Sequence, residues 1–241
     1  MVNIYLGKAF QRKINFLMVL SFVFLSIQSS FSQSGTVKDI EGNTYQTIQI
    51  GTQIWMAENL RTTRYLDGTL IPEIPNAEEW LATKQAALST YPNTESPNNN
   101  VLYNWYAVNS GKLCPQGWHV PSDAEWMELE KAIGLDENLI QTIGARGWTL
   151  KIDGKLKTTE KGVWQVDREY YSNETGFSAF PTGYRTNSGT FQFQKQFSYW
   201  WSSSSESEEF AWKRHLSYYR DIINRNVMLK NSGLCVRCVT D

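Results

Sequence analysis

The sequence predicts an α+β fold, with two or three helices in its first half and a twisted antiparallel sheet with long loops in its second half. Two helix-start patterns, at Asn76 and Ser122, precede residue 144. Beyond Gly144, short segments rich in aromatic and β-branched residues alternate with Gly, Asn, Ser and Asp turns. Helices followed by strands is the order typical of α+β domains.

The amino terminus, residues 1–32, has the pattern of an export signal. The stretch begins with the basic residues Lys8, Arg12 and Lys13 and continues with an apolar core at 14–27. It ends with the small residues Ser30 and Ser32 before the expected cleavage site. The apolar run is shorter than the ~20 residues that cross a bilayer, so we expect cleavage rather than a membrane anchor. Residues 33–241 are then a single exported domain, periplasmic, cell-surface or extracellular, with no transmembrane segment.

Charge argues against a nucleic-acid partner. The chain has 23 basic and 24 acidic residues, and removing the three basic residues of the leader leaves 20 minus 24, a net charge of −4. The remaining basic residues are scattered along the sequence and form no basic stretch.

The first elements are a hairpin and two capped helices. Residues 35–54 alternate in polarity around an Asp-Ile-Glu-Gly-Asn turn, which predicts two short strands. Asn76 with Glu79 predicts the start of a helix that carries Trp80, Leu81 and Leu88.

The second helix is marked more strongly. Ser122 and Glu125 form an S-x-x-E capping box, and Trp126 and Leu129 recur behind it at helical spacing. Gly134 is placed as its C-terminal stop. A shorter helix is predicted from Asp136 to Ile143.

The second half contains seven strand candidates, short and rich in aromatic or β-branched residues. They are 163–166, 177–180, 191–194, 199–203, 211–219, 227–229 and 234–239.

Six sequence blocks resemble the Fibrobacter succinogenes major paralogous domain family. They are GNTYQTIQIGTQIWMAENL (42–60), LYNWYAV (102–108), LCPQGWHVPSDAEW (113–126), GFSAFPTGYR (176–185), YWWSSS (199–204) and VRCV (236–239). The resemblance implies a C-type-lectin-like fold, which the formylglycine-generating enzymes share, and it implies no general activity. The calcium signatures of sugar-binding lectins are missing, and the close cysteines by which the enzyme relatives bind copper are not matched in spacing by Cys235 and Cys238.

Three cysteines in an exported chain predict one disulfide and one free thiol. If residues 234–239 are extended, Cys238 shares the apolar face with Leu234 and Val236, which directs it inward toward Cys114. The family pattern also matches Cys114 and Cys238. Cys235 is then the free thiol.

A zinc site is the alternative for the same residues, because Cys114, His119, Cys235 and Cys238 are ligand types that zinc prefers. We rank it below the disulfide, since an extended Val-Arg pair does not form a zinc knuckle. His119 is more simply a hydrogen-bonded residue beside the helix, and His215 a solvent-facing strand residue. We predict no metal and no cofactor.

Aromatic residues are the remaining functional signal, with 10 Trp, 12 Tyr and 11 Phe. We assign the tryptophans at 55, 126, 164 and 200 to the core. The 182–212 region combines aromatic and polar residues, and Tyr184, Arg185, Trp201 and Trp212 are its predicted ligand contacts.

No nucleophile-and-base motif occurs. The sequence predicts an exported, non-catalytic binding module for a glycan or protein ligand. The alternatives are a formylglycine-generating-type oxidase and a zinc-stabilised structural module.

Overall fold

The computed structural model describes residues 35–91 and 101–241. The strands are β1 (Gly35–Lys38), β2 (Thr44–Ile50), β3 (Gln53–Met56), β4 (Leu88–Thr90), β5 (Val101–Tyr103), β6 (Trp118–His119), β7 (Gly144–Arg146), β8 (Tyr184–Arg185), β9 (Phe191–Gln192), β10 (Phe197–Ser205), β11 (Phe210–Ser217), β12 (Ile223–Leu229) and β13 (Val239–Thr240). The helices are α1 (Ala77–Ala82), α2 (Trp105–Val108), α3 (Asp123–Ala132), α4 (Glu137–Ile140) and a 3-10 turn, Ile152–Lys155.

Two sheets dominate the fold. One has the order β1-β2-β3-β13-β6 and the other the order β10-β11-β12-β7, while β4-β5 and β8-β9 are separate pairs. Every pairing between these named strands is antiparallel. The α+β class predicted from the sequence is therefore confirmed.

The hairpin predicted for residues 35–54 is confirmed and extended by a third strand. Burial alternates along β2, with Tyr45 buried on one face and Ile48 and Ile50 on the other. Gly51 turns the chain at a φ of +61°, and β3 then pairs with β2 and places Trp55 and Met56 at 0% exposure.

Helix α3 begins at the predicted capping box. Ser122 Oγ accepts a hydrogen bond from the Glu125 amide (3.2 Å), and Glu125 Oε2 accepts one from the Ser122 amide (2.7 Å). Trp126 and Leu129 are buried behind the cap, and the chain leaves the helix at Gly134 with a φ of +102°.

The C-terminal segment 233–240 runs through the middle of the fold. Cys114 and Cys238 form a disulfide with Cα atoms 6.0 Å apart, and the free Cys235 is buried. Leu234 and Val236 share a hydrophobic cluster with the disulfide, whereas Cys235 packs in the other large cluster. The predicted pairing and the predicted alternation of faces are both confirmed.

Several predicted elements differ from the structure. Leu88 lies on β4 rather than on the first helix, and the helix predicted to end at Ile143 ends at Ile140. Segments 163–166 and 177–180 are turns and loops, and only the end of 234–239 is a regular strand. Trp164 and Phe177 are nevertheless 2% and 0% exposed. Strand propensity mainly measures how well a side chain fits a buried surface, and a loop can provide such a surface as well.

Helix α2 was not predicted. Asn104 caps it, because its side-chain oxygen accepts a hydrogen bond from the Ala107 amide (3.1 Å). The helix is a single turn whose Trp105, Ala107 and Val108 are all buried, so it lacks the polar face that makes helical periodicity visible.

The tryptophans assigned to the core are confirmed. Trp55, Trp126, Trp164 and Trp200 are at most 2% exposed and belong to one hydrophobic cluster. Trp126 contacts Trp55 at 4.8 Å and Trp200 at 6.0 Å between ring centroids.

A buried group of charges, here called the paired cluster, joins α3 to the four-stranded sheet. It consists of Asp123, Glu130, Arg146, Arg214 and Arg225. Glu130 binds Arg146 at 2.6 Å and Arg214 at 2.7 Å, and Asp123 binds Arg214 and Arg225 at 2.7 Å each. Burial alone raises the pKa of Asp123, but the hydrogen bonds and charges of Arg225 and Arg214 outweigh that effect and lower it.

In the described part of the chain, the helices are too short or too polar to traverse a bilayer. The predicted export signal, residues 1–32, lies outside the described residues.

Candidate recognition surface

The structure separates the four predicted ligand contacts. Tyr184 and Trp212 are half-buried, whereas Arg185 and Trp201 are each 0% exposed. Trp212 stacks on Arg225, with the guanidinium carbon 3.9 Å from the ring centroid, on the face of β11 that carries the paired cluster. It therefore does not share a surface with Tyr184.

The burial of Arg185 and Trp201 corrects their predicted role. Arg185 donates to the carbonyl oxygens of Ile74, Pro75, Asn76 and Gly189 and stacks on Trp80 at 4.4 Å. Trp201 Nε1 donates to the carbonyl of Tyr103 (2.8 Å). Because their polar groups bind the protein itself and no side-chain area reaches solvent, both residues are part of the core.

Tyr184 instead belongs to a group of rings on the same side of the molecule. This group, here called the aromatic surface, consists of Tyr184, Phe193, Phe197, His215 and Tyr219. Phe193 and Tyr219 are 40% and 46% exposed, and the other three are half-buried. Ring-centroid distances of 5.2 to 6.0 Å link Phe193 to Tyr184 and Phe197, and Phe197 to His215 and Tyr219.

The floor of the aromatic surface contains a buried amine. Tyr199, 6% exposed, contacts Tyr184 at 4.8 Å and His215 at 5.1 Å. Lys213, 4% exposed, lies beside it, and its Nζ contacts His215 Nδ1 and lies 5.2 Å from the Tyr199 ring centroid.

The electrostatics of this floor follow from burial. Burial, together with the charge of Arg214, lowers the pKa of Lys213 to about 7. Burial and the neighbouring Lys213 lower the pKa of His215 well below its ordinary value. His215 is therefore neutral at pH 7, and its Nδ1 contacts the Lys213 amine. The predicted solvent-facing position is correct only in part, because the ring is half-buried.

The loop that presents Phe193 has an unusual backbone. Phe193 and Lys195 adopt left-handed φ values of +63° and +61°, which costs about 1 kcal/mol or more for a bulky residue. Gly183 makes the loop possible, because a Cβ on it would lie 2.2 Å from the carbonyl oxygen of Gln192. The Lys195 amide also donates to the carbonyl of Pro181 (2.8 Å). The exposed phenyl ring is therefore held in a defined position.

Polar side chains border the aromatic surface. Gln192, Gln194 and Lys195 are exposed in the loop around Phe193. Arg220 is exposed beside Tyr219, with its guanidinium carbon 5.2 Å from that ring centroid. Amide and cationic donors thus surround ring faces that are open to solvent.

The residues of this surface other than Tyr184 were not among the predicted contacts. Phe193 and Phe197 lie in the polar-aromatic 182–212 region, and the alternation of Phe191, Phe193 and the intervening glutamines was visible in the sequence. That pattern predicts a strand, and it does not show which ring faces solvent.

The residues of the alternative zinc site are engaged elsewhere. The sulfurs of Cys114 and Cys238 are joined in the disulfide, and Cys235 Sγ donates to Thr182 Oγ1 (3.3 Å). Burial raises the pKa of Cys235 to about 11. Within residues 35–91 and 101–241, no group of three or more His, Cys, Asp and Glu side chains is arranged to hold a metal ion.

His119 has the structural role predicted for it. Its Nε2 lies 2.6 Å from Glu125 Oε1, and its Nδ1 lies 2.7 Å from Asp241 Oδ1. Burial alone lowers the pKa of His119, but hydrogen bonds to the two carboxylates outweigh this effect and raise it. The imidazole thus joins the helix cap to the side chain of Asp241.

Comparison with known proteins identifies a family and no individual relative. No curated protein and no solved structure matches the chain. The sequence model of the Fibrobacter succinogenes major domain matches residues 48–240, which is most of the chain and includes every residue of the aromatic surface. The chain belongs to the Fibrobacter succinogenes major domain family.

Proposed function

We propose that this protein is an exported, non-catalytic binding module with a C-type-lectin-like arrangement, and that its aromatic surface binds a glycan. One observation carries the proposal: Phe193 exposes its ring while its backbone is held in a left-handed conformation. Backbone strain maintained at an exposed aromatic side chain is typical of functional sites rather than of structural ones. The ring stacks on Tyr184 at 6.0 Å, so it is also pre-oriented.

The chemistry of the surface favours a sugar. Aromatic faces pack against the C–H faces of pyranose rings, and a few polar groups around them orient the hydroxyls. Gln192 and Gln194 supply both donors and acceptors beside Phe193. Neutral His215 and the tyrosines add further hydrogen-bonding groups without a fixed charge.

The thiols argue against the oxidase alternative. Thiol-based copper chemistry requires accessible sulfur ligands that are readily deprotonated. Cys114 and Cys238 are consumed by the disulfide, and Cys235 is 0% exposed with a raised pKa. A binding role uses none of these groups.

The test is a glycan array probed with the full-length chain, followed by calorimetric titration of the glycans retained. We expect Phe193→Asn to weaken binding about tenfold, because Asn tolerates the left-handed backbone and removes only the ring. The matched control is Leu70→Ala, which truncates an apolar side chain that is 58% exposed in another part of the chain.

Two results would overturn the proposal. One is an array on which no glycan is retained while a peptide library yields a ligand, which would make the module a protein binder. The other is a retained glycan that binds Phe193→Asn and the unmodified chain with equal affinity.

A further inference from the structure

A cavity lies apart from the aromatic surface and has a buried cation in its lining. Its volume is about 230 Å³, and segments 57–61, 158–160 and 178–180 line it together with Arg237. Arg237 is only 1% exposed. Phe180 is the aromatic residue of the lining, and the other lining side chains besides Ala57 are polar or charged. The cleft is thus small, polar and built around a buried guanidinium.

The guanidinium of Arg237 is incompletely used by the protein. Its Nε and Nη2 donate to Asn59 Oδ1 at 3.3 and 3.0 Å, and its Nη1 donates to the carbonyl oxygen of Phe177. A guanidinium has five N–H groups. Three bonds leave two of them, one on each terminal nitrogen, without an acceptor among the described residues. Asn59 Oδ1 also accepts from Trp200 Nε1 (2.9 Å), so the site has more donors than acceptors.

No carboxylate of the described residues lies within ion-pair distance of Arg237, which distinguishes it from the arginines of the paired cluster. Burial lowers the pKa of Arg237, and the more distant charge of Glu58 opposes that effect only in part. Arg185 is buried without a carboxylate among the described residues as well. Both arginines stack on a ring, Arg185 on Trp80 at 4.4 Å and Arg237 on Phe177 at 3.9 Å. Arg185, however, makes four hydrogen bonds to carbonyl oxygens, so it has fewer unused N–H groups than Arg237.

The rest of the lining limits which anion fits. Glu58 is bound to Arg61 (3.1 Å), and Glu160 is exposed at the cleft. The cost of desolvating an anion rises with the square of its charge, whereas its attraction to Arg237 rises only in proportion, so the cleft favours a singly charged anion over a dianion. Ser178, in the same lining, has a left-handed φ of +52° and is one of six residues other than glycine with a positive φ in the described part of the chain.

From this geometry we propose that the Arg237 cleft binds the carboxylate of a small polar molecule. The planar carboxylate takes the two remaining guanidinium N–H groups, an arrangement in which charge assistance strengthens both hydrogen bonds. Phe180 and the hydroxyl-bearing wall contact the uncharged part of the ligand. This site is independent of the aromatic surface.

The test compares three probes on the full-length chain by calorimetric or NMR titration: glucuronate, glucose and inorganic phosphate. Glucose is the neutral counterpart of glucuronate, and phosphate is the competing oxyanion. We expect glucuronate to bind about tenfold more tightly than glucose, and more tightly than phosphate at pH 7.5. Acetate should compete with glucuronate.

Variants locate the site. Arg237→Gln should reduce glucuronate affinity to that of glucose. Glu160→Gln is an exposed change that preserves folding, and it should tighten glucuronate binding about two- to threefold by removing a like charge. The matched control is Glu128→Gln, an exposed glutamate on α3 outside the cleft lining.

Each outcome decides the proposal. Equal affinity for glucuronate and glucose overturns it, and tighter binding of phosphate replaces the carboxylate with a different anion. If Arg237→Gln does not fold, Glu160→Gln decides, and an unchanged affinity in that variant contradicts the site. Phe193→Asn should leave glucuronate binding unchanged, so this proposal and the glycan proposal fail separately.

Discussion

The two faces of β11 bury cations in opposite ways. Arg214 points toward α3 and meets both carboxylates of the paired cluster at 2.7 Å. Lys213, its neighbour in the chain, points toward the aromatic surface, is 4% exposed and has no carboxylate partner among the described residues. The first face is therefore the helix face and the second the aromatic face.

The difference shows where this domain keeps buried or strained groups that lower its stability. On the helix face, charge pairing compensates for desolvation and gives α3 a defined position. On the aromatic face, an unpaired amine and two left-handed residues are retained beneath and beside exposed rings. Two of the six left-handed non-glycine residues in the described part of the chain therefore lie, together with the buried amine, on the face that we propose binds a ligand.

The largest effect should come from breaking the pairing on the helix face. Glu130→Gln leaves Arg146 without a carboxylate and removes one of two from Arg214. We expect a loss of about 3–5 kcal/mol in the free energy of unfolding, because an uncompensated charge remains buried. Urea denaturation at pH 7 measures it.

The control is Glu128→Gln, an exposed glutamate on the same helix, which should change stability by less than about 0.5 kcal/mol. Equal effects of the two variants would mean that the paired cluster does not hold α3 in place.

On the aromatic face, Gly183→Ala should distort the loop that presents Phe193. Its φ is +69°, and the new Cβ would meet the carbonyl oxygen of Gln192 at 2.2 Å. Strain and displacement together should cost about 2–4 kcal/mol. Glycan binding should fall along with the melting temperature.

Gly42→Ala provides the comparison, because Gly42 also has a positive φ but has open space around its Cβ position. A loss as small as that of Gly42→Ala would show that close approach to Gln192 does not shape the loop.

Removing the buried amine of Lys213 should raise the free energy of unfolding rather than lower it. Lys213→Met replaces a buried charge by an apolar side chain of similar length, and we expect a gain of about 1–3 kcal/mol at pH 7. Thermal unfolding of both proteins at several pH values measures the gain.

The gain should also depend on pH in a definite direction. The folded-state pKa of about 7 is below the ordinary 10.5, so both states are protonated only well below pH 7, where the cost of the buried charge is greatest. Between about 7 and 10.5 the unfolded state binds the additional proton, and the stability of the unmodified protein rises with pH. The advantage of Lys213→Met should therefore shrink over this range. A gain that stays constant would contradict the lowered pKa.

The smallest effect should come from the cap of α3 on the helix face. Ser122→Ala removes the acceptor of the Glu125 amide and should cost about 0.5–2 kcal/mol. An unchanged denaturation midpoint with unchanged slope would show that the capping box does not stabilise this helix.

Some features of this protein depend on residues that are close in sequence, and the sequence alone determined them. The capping box at Ser122 and Glu125, the β1–β2 hairpin and the stop at Gly134 are of this kind. The alternation of Leu234, Cys235 and Val236 between two clusters follows from the extended chain and directed Cys238 to Cys114. The order of helix patterns followed by strand segments extended this to the α+β class.

Other features depend on contacts between distant segments, and only the tertiary structure decided them. Arg185 and Trp201 are residue types that are common at binding surfaces. In the folded chain they are buried, and they donate hydrogen bonds to the distant carbonyl oxygens of Ile74 and Tyr103, respectively. Arg237 lies in the same VRC block as Cys238 of the predicted disulfide. That no carboxylate of the described residues pairs with it is visible only in the folded chain, where three segments form the walls of its cleft. The physical reason is that periodicity and caps are local, whereas burial and charge compensation are sums over the whole folded chain.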